Sequence, residues 1–146
     1  MSKIARYDKY QPVAGGFRAP LAAAVTATSG AGLTNQVAVP LGVGLNSSGQ
    51  VVVGAGATGI IGVLVVDSAK AAGDVVDVMT AGEIVDLDET AFDPGATYYG
   101  AAAGGVLSTT NTGRRVGFTV GDKSLTTGVI TSRLIVRVAG VVTGAV

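Results

Sequence analysis

Apolar and polar positions along this chain alternate in short runs, broken by glycine every few residues. The densest run is residues 60–66, almost wholly Ile, Val and Leu, which predicts a strand buried on both faces. Around it, residues 74–79 and 83–87 carry Val, Ile and Leu with acids between them and predict two further strands. The stretch Thr80-Ala81-Gly82-Glu83 predicts a tight hairpin with Gly at a positive-φ position. The turn at residues 70–74 is longer and has room for one loose helical turn.

The remaining elements follow in order. Residues 36–45 predict a strand, Asn46-Ser47-Ser48-Gly49 a turn, and residues 50–53 a return strand. Residues 97–100 and 106–108 predict short strands. In residues 114–120, Val116, Phe118 and Val120 alternate with Arg115, Gly117 and Thr119, so the first three are expected to face the core. In residues 130–138, Leu134, Val136 and Val138 stand opposite Arg133, Ile135 and Arg137. No pattern supports a helix longer than about two turns. The prediction is an all-β fold: one Gly-rich β-barrel or sandwich domain over residues 34–146. Residues 1–33 are expected to form an extended N-terminal arm and loop, with no strand period visible over residues 1–20.

Composition sharpens this picture. The chain has 146 residues, enough for one domain with its own core. Hydrophobic residues make up 48%, aromatics only 5%, and Gly contributes 23 residues, so the core is built from small and β-branched side chains. Charged residues are 14%, against roughly 25% in ordinary soluble domains. A monomer so poor in charge exposes apolar surface, and contact with other subunits is the expected remedy.

The charges come in blocks. Residues 1–18 hold Lys3, Arg6, Lys9 and Arg18 against Asp8, and residues 19–66 hold none. Residues 67–93 hold eight acids against Lys70, and residues 114–137 hold five bases against Asp122. Such patches either neutralise one another within the fold or join copies and partners.

Candidate chemistry is sparse. With no Cys and no His there is no disulfide framework, no thiolate and no imidazole base or ligand. A Ser nucleophile has no His to activate it, and no Ser–Lys pair is evident. Gly54-Ala55-Gly56-Ala57-Thr58-Gly59 matches a dinucleotide-binding pattern, but that chemistry needs a helix next, and a strand-like run follows. The acids Asp86, Asp88, Glu89 and Asp93 partly match a calcium loop. Ala91 stands where the sharp turn needs Gly, and Thr97 where the bidentate Glu belongs. Arg114, Arg115, Arg133 and Arg137 could grip phosphates, yet the chain is neutral overall and aromatics are thin among them. The expectation is therefore no catalytic residue, no cofactor and no metal, with no nucleic-acid or membrane partner. The run at residues 21–27 is too short for a signal core and too far from the first residue, which leaves cytoplasmic synthesis as the expectation.

Interface chemistry is better supplied. Tyr7, Tyr10 and Phe17 are rigid anchors, and Arg6 and Arg18 flank them. With Arg115, Arg133 and Arg137 they form the candidate interface residues.

A larger pattern runs from residue 59 to residue 138. It begins with Gly59-Ile60-Ile61-Gly62-Val63-Leu64, Ala72-Gly73-Asp74-Val75-Val76-Asp77-Val78 and Gly82-Glu83-Ile84-Val85. It continues with Pro94-Gly95-Ala96-Thr97-Tyr98-Tyr99, Gly104-Gly105-Val106-Leu107-Ser108-Thr109 and Arg115-Val116-Gly117-Phe118. In that order the pieces resemble the small capsid-decoration, or cement, proteins of tailed bacteriophages. The resemblance implies a β-barrel-like domain, a homotrimer, bound to the major capsid protein outside the assembled head, with no catalytic role. The long arm is not a constant part of that family's pattern. Two other readings stay open on the sequence: the base of a head fibre or adhesin, and a trimeric β-fold nucleotide hydrolase using the acids of residues 86–93.

Overall fold

The computed structural model describes residues 15–28, 38–88, 91–111, 113–123 and 130–138. Within them the chain forms strands and turns and no helix. In chain order the strands are β1 (Gly16–Pro20), β2 (Leu41–Leu45), β3 (Val51–Gly56), β4 (Gly62–Leu64) and β5 (Val75–Met79), then β6 (Ala81–Ile84), β7 (Thr97–Ala101), β8 (Leu107–Ser108), β9 (Gly113–Lys123) and β10 (Ile130–Arg137). They build two sheets. The first has the order β1-β5-β4-β2-β3, the second β6-β10-β9-β7-β8. Pairing is antiparallel except between β2 and β3. The architecture is a sandwich, and neither sheet closes into a barrel. The first sheet curls far enough for Leu21, just past β1, to bridge Val51 at the start of β3.

The expected buried run is the hinge of the packing. Val63 joins a cluster between the sheets with Ile60, Tyr98, Leu134 and Val136. Its neighbour Leu64 points the other way, into a second cluster held within the curl of the first sheet with Val43, Val51, Val76 and Val78. Alternation across a strand places consecutive residues in two different cores. The strand itself is three residues long. Gly62 is required there, because a Cβ would stand 2.3 Å from Val78 Cγ1 and 2.9 Å from the Met79 carbonyl oxygen.

Four expectations are corrected. First, β5 and β6 are not a hairpin. β5 is already flanked by β1 and β4, while β6 pairs with β10, so the chain changes sheets at Thr80 and Gly82 lies inside a strand. Second, residues 70–74 form a turn rather than a helical one. The Asp74 carboxylate accepts the Ala71 N–H at 2.8 Å, and the Asp74 N–H donates to the Ala71 carbonyl at 3.1 Å.

Third, the extended arm does not reach residues 15–28. β1 pairs with β5 along its whole length, Leu21 and Val25 are buried, and Phe17 and Ala19 pack on the second cluster. Phe17, Ala19 and Leu21 have the strand period, masked by Gly16, Arg18 and Pro20 on the exposed side. Residues 1–14 and 29–37 lie outside the described residues.

Fourth, the alternation of residues 114–120 breaks. Tyr98 stands opposite Gly117 and Tyr99 opposite Arg115, leaving Val116 as an extra residue in β9. Such a bulge shifts the phase of the strand beyond it. Val116 is buried, Phe118 turns outward and Thr119 turns in.

The return after Asn46 also differs from a regular hairpin. Asn46 N–H donates to the Gln50 carbonyl as a turn requires. Beyond it the register slips: Gly44 faces Val52, Val43 faces Gly54 and Leu45 faces Gly56, so the last two pairs run in the parallel sense. Positive φ at Gly54 and Gly56, at 102° and 58°, lets β3 bend this sharply. The glycine-rich stretch then leads through Ile60 to β4 and not to a helix.

Candidate docking face

The outer face of the second sheet gathers the cationic candidates. Residues directly opposite each other in an antiparallel pair share a face. On β10, Arg133 stands opposite Val120 and Ile135 opposite Phe118. Phe118 in turn faces Thr97 on β7, and Tyr99, two residues on, faces Arg115. On the far side Ile135 faces Glu83 of β6. Arg137 follows Ile135 by one strand repeat. The face is thus an apolar strip of Ile135, Phe118 and Val120, with Arg133 beside Val120 at one end and Arg137 and Arg115, the latter opposite Tyr99, at the other.

The bulge at Val116 makes this strip. In an unbroken strand Phe118 would share the buried side with Val116, as the sequence pattern predicts. Phe118 is instead 36% exposed, and Arg115 and Arg137 are exposed. Arg133 is only partly exposed, and its guanidinium donates to the Glu83 carboxylate across the β10–β6 pair. That contact joins the basic and acidic blocks within the fold, while Arg115 and Arg137 stand exposed at the other end of the strip.

The other candidates are placed elsewhere. Phe17 is packed against the cluster in the first sheet. Arg18 is on the exposed side of β1, where its Nε donates to Asp77 Oδ1 at 2.7 Å across the β1–β5 pair. Neither belongs to the strip. Arg114 lies one residue from Arg115, opposite Gly100, and so on the other face of the sheet. The four arginines considered for phosphate binding are therefore divided. Arg6, Tyr7 and Tyr10 fall outside the described residues.

Asp86 and Asp93 of the acidic segment are exposed, while its apolar residues anchor it. Leu87 and Phe92 are buried, and Phe92 stacks at a tilt on Tyr98 with ring centroids 4.9 Å apart. The Asp93 N–H donates to Tyr98 Oη at 2.8 Å, and Ser132 Oγ donates to the Phe92 carbonyl at 3.1 Å. Asp86 takes positive φ, 56°, while its carbonyl accepts the Ala38 N–H. Among the described residues no three of His, Cys, Asp and Glu come together as a metal set.

Phe118, Val120 and Tyr99 are the residues of this face that sequence reasoning did not select. Ile135 was visible between two arginines on one side of its strand. The exposure of Phe118 depends on the bulge, for which the chain carries only the glycine at Gly117 as a signal.

No protein-family model matches the chain, and no curated protein matches it. Among solved structures, the fold is similar to that of a chain from Mycobacterium phage Patience, with a TM-score of 0.61 and 21% sequence identity. The match covers 92% of this chain and 96% of that one. Near-complete coverage of both chains extends the likeness to the whole two-sheet arrangement.

Proposed function

We propose that this protein is a structural component of a phage virion: a non-enzymatic decoration protein that binds the outside of the assembled head, as a homotrimer, on the major capsid protein. The observation that carries the reading is the outer face of the second sheet, where Ile135, Phe118 and Val120 lie between Arg115, Arg133 and Arg137. An apolar centre with arginines at its edge is the usual anatomy of a protein–protein contact. The fold likeness to a phage chain and the ordered motifs from residue 59 to residue 138 support the same reading.

The mechanism is linkage. A protein that binds the closed shell and not its separate subunits stabilises the closed state by mass action. The apolar strip supplies affinity, and the arginines steer the approach to an acidic surface and set the register. No step requires a cofactor, nucleic acid or membrane. The protein is made in the host cytoplasm and resides in the virion.

Co-sedimentation with purified heads tests this. Wild-type protein is expected to pellet with heads, and Phe118→Asp combined with Arg137→Glu to lose most of that binding while circular dichroism stays unchanged. Added salt should weaken wild-type binding. Equal pelleting by wild type and the double variant would overturn the assignment of this face.

A further inference from the structure

We propose that the Asp93–Pro94 peptide bond is a self-cleavage site, in which the Asp93 carboxyl group is the nucleophile and Thr119 Oγ1 stabilises the charge that forms on the reacting carbonyl oxygen. Asp-Pro-Gly-Ala at residues 93–96 has the order of a type II turn, with Pro second and Gly third, and Gly95 takes a φ of 72°. In a closed turn the fourth N–H donates to the first carbonyl. Here the Thr119 hydroxyl of β9 is inserted between them. Its Oγ1 accepts the Ala96 N–H at 3.0 Å and donates to the Asp93 carbonyl at 2.5 Å. The Ala96 carbonyl, 3.3 Å from the same oxygen, already accepts the Thr119 N–H at 2.8 Å. The single hydroxyl proton is therefore aimed at the shorter contact, Asp93.

This puts a fixed donor on the atom where charge develops. Thr119 is buried. The N–H that it accepts polarises its own O–H, and a preorganised donor away from water is worth most to an oxyanion. Asp93 and Pro94 are exposed. Among the described residues no side chain holds the Asp93 carboxylate, which leaves it free to turn back on its own carbonyl. Nucleophile and target belong to one residue, so their encounter needs no binding step.

In the step itself, one Asp93 carboxyl oxygen bonds to the main-chain carbonyl carbon and closes a five-membered ring. The C–N bond to Pro94 breaks. The proton carried by the carboxyl group passes to the proline nitrogen, which leaves as the amine of a new N-terminus. Solvent water then opens the cyclic anhydride and restores Asp93 with a free α-carboxyl group. One peptide bond and one water are consumed, and nothing is oxidised or reduced. The titratable side chains of the flanking elements are those of Tyr98 and Asp88. The Tyr98 hydroxyl accepts the Asp93 N–H, and the Asp88 carbonyl accepts the Ala91 and Phe92 N–H groups. β9 and β10 bring the neutral Thr119 and Ser132 to the loop. The transferred proton thus comes from Asp93 itself, and cleavage rises in acid.

The cut falls between β6 and β7, and its products stay together. Strand β6 on one side of it pairs with β10 on the other. Phe92 stacks on Tyr98 across it, and Ser132 Oγ holds the Phe92 carbonyl.

The test follows the full chain in mildly acidic buffer by mass spectrometry, folded or in enough urea to unfold it. Fragments 1–93 and 94–146 are expected at least about tenfold faster from the folded chain, where alone Thr119 meets the carbonyl. They should co-elute in size exclusion. Asp93→Ala should abolish them, Thr119→Ser should keep nearly the wild-type rate, and Thr119→Val should lose most of the folded-state advantage. Circular dichroism in the same buffer checks that each variant is folded, and if Thr119→Val is not, the folded and urea-treated wild type decide alone. The proposal is overturned by the lack of fragments, by equal rates folded and in urea, by folded Thr119→Val cleaving as fast as Thr119→Ser, or by a cut at another bond. None of these measurements involves a shell, so their outcome is independent of the proposed virion role.

Discussion

The two hydrophobic clusters of this protein solve the same problem with different materials. The cluster between the sheets holds Phe92, Tyr98, Ile60, Leu87, Leu107 and Leu134. The buried residues of the cluster inside the curled first sheet are mostly valine, with Leu21 and Leu64 as the larger ones and Phe17 and Leu45 packed at its edge. Large side chains fill a gap between two opposed sheets about 10 Å apart. Valine suits the interior of one sheet bent on itself, where a β-branched side chain packs against its neighbours on the pleated surface. A chain with 5% aromatic residues therefore spends its large side chains where two sheets face each other and lines the curl with β-branched ones.

The largest expected effect tests that division. Leu134 and Val78 are both buried, one in each cluster. Leu134→Ala should cost about 2–5 kcal/mol, because the opposed sheets cannot collapse onto the cavity. Val78→Ala should cost about 2 kcal/mol, from fewer methyl groups removed. Urea unfolding of both variants measures the difference. Equal losses would mean that the two clusters do not differ in how they pack.

Among the described residues, a buried threonine ties a loop to each cluster. Thr119 Oγ1 donates to the Asp93 carbonyl and accepts the Ala96 N–H at 3.0 Å, fixing the turn that precedes β7. Thr28 Oγ1 accepts the Val66 N–H at 2.8 Å, fixing the chain beyond β4. Replacing either hydroxyl by a methyl leaves an N–H without its acceptor, buried at Val66 and part-buried at Ala96. Thr119→Val also removes a donor from the Asp93 carbonyl, whereas the Val66 carbonyl keeps the Thr28 N–H. Each change should cost about 1–3 kcal/mol, with Thr119→Val the larger. Amide exchange at Ala96 and Val66 would show whether each loop is released separately. Release of both loops by one variant would mean that the clusters unfold as a single unit.

The smallest effect belongs to the ion pairs. Cross-strand ion pairs join Arg18 to Asp77 on the first sheet and Arg133 to Glu83 on the second. The Arg18 pair is the more exposed, and solvent screens it. Arg18→Ala should change stability by less than about 0.5 kcal/mol and Arg133→Ala by at most about 1 kcal/mol. Thermal unfolding in low and high salt checks both. A loss above 2 kcal/mol from Arg18→Ala would show that β1 is held by charge and not by its ladder and Phe17.

Much of this architecture was legible along the chain because alternation reports burial directly. The pattern of β10 assigned Leu134, Val136 and Val138 to the core and Arg133, Ile135 and Arg137 to the outside, and the fold agrees. The all-β class followed from short apolar runs, β-branched residues and glycine turns. The buried run around Val63 was legible as well, since only a strand covered on both sides tolerates consecutive apolar residues.

What the pattern could not carry was partnership. Whether Thr80 begins a hairpin or a crossing depends on which strands already flank β5, and those strands, β1 and β4, come from distant parts of the chain. β1 itself hid its period, because an edge strand with Gly16, Arg18 and Pro20 on one side shows little contrast. The docking face was decided by a single extra residue in β9. A bulge reverses the facing of every later residue in its strand, and it exists only in relation to the partner strand it fails to match. Side-chain burial is a local property that sequence encodes residue by residue. Register and strand order arise from pairs, and they became definite only when the two sheets were folded against each other.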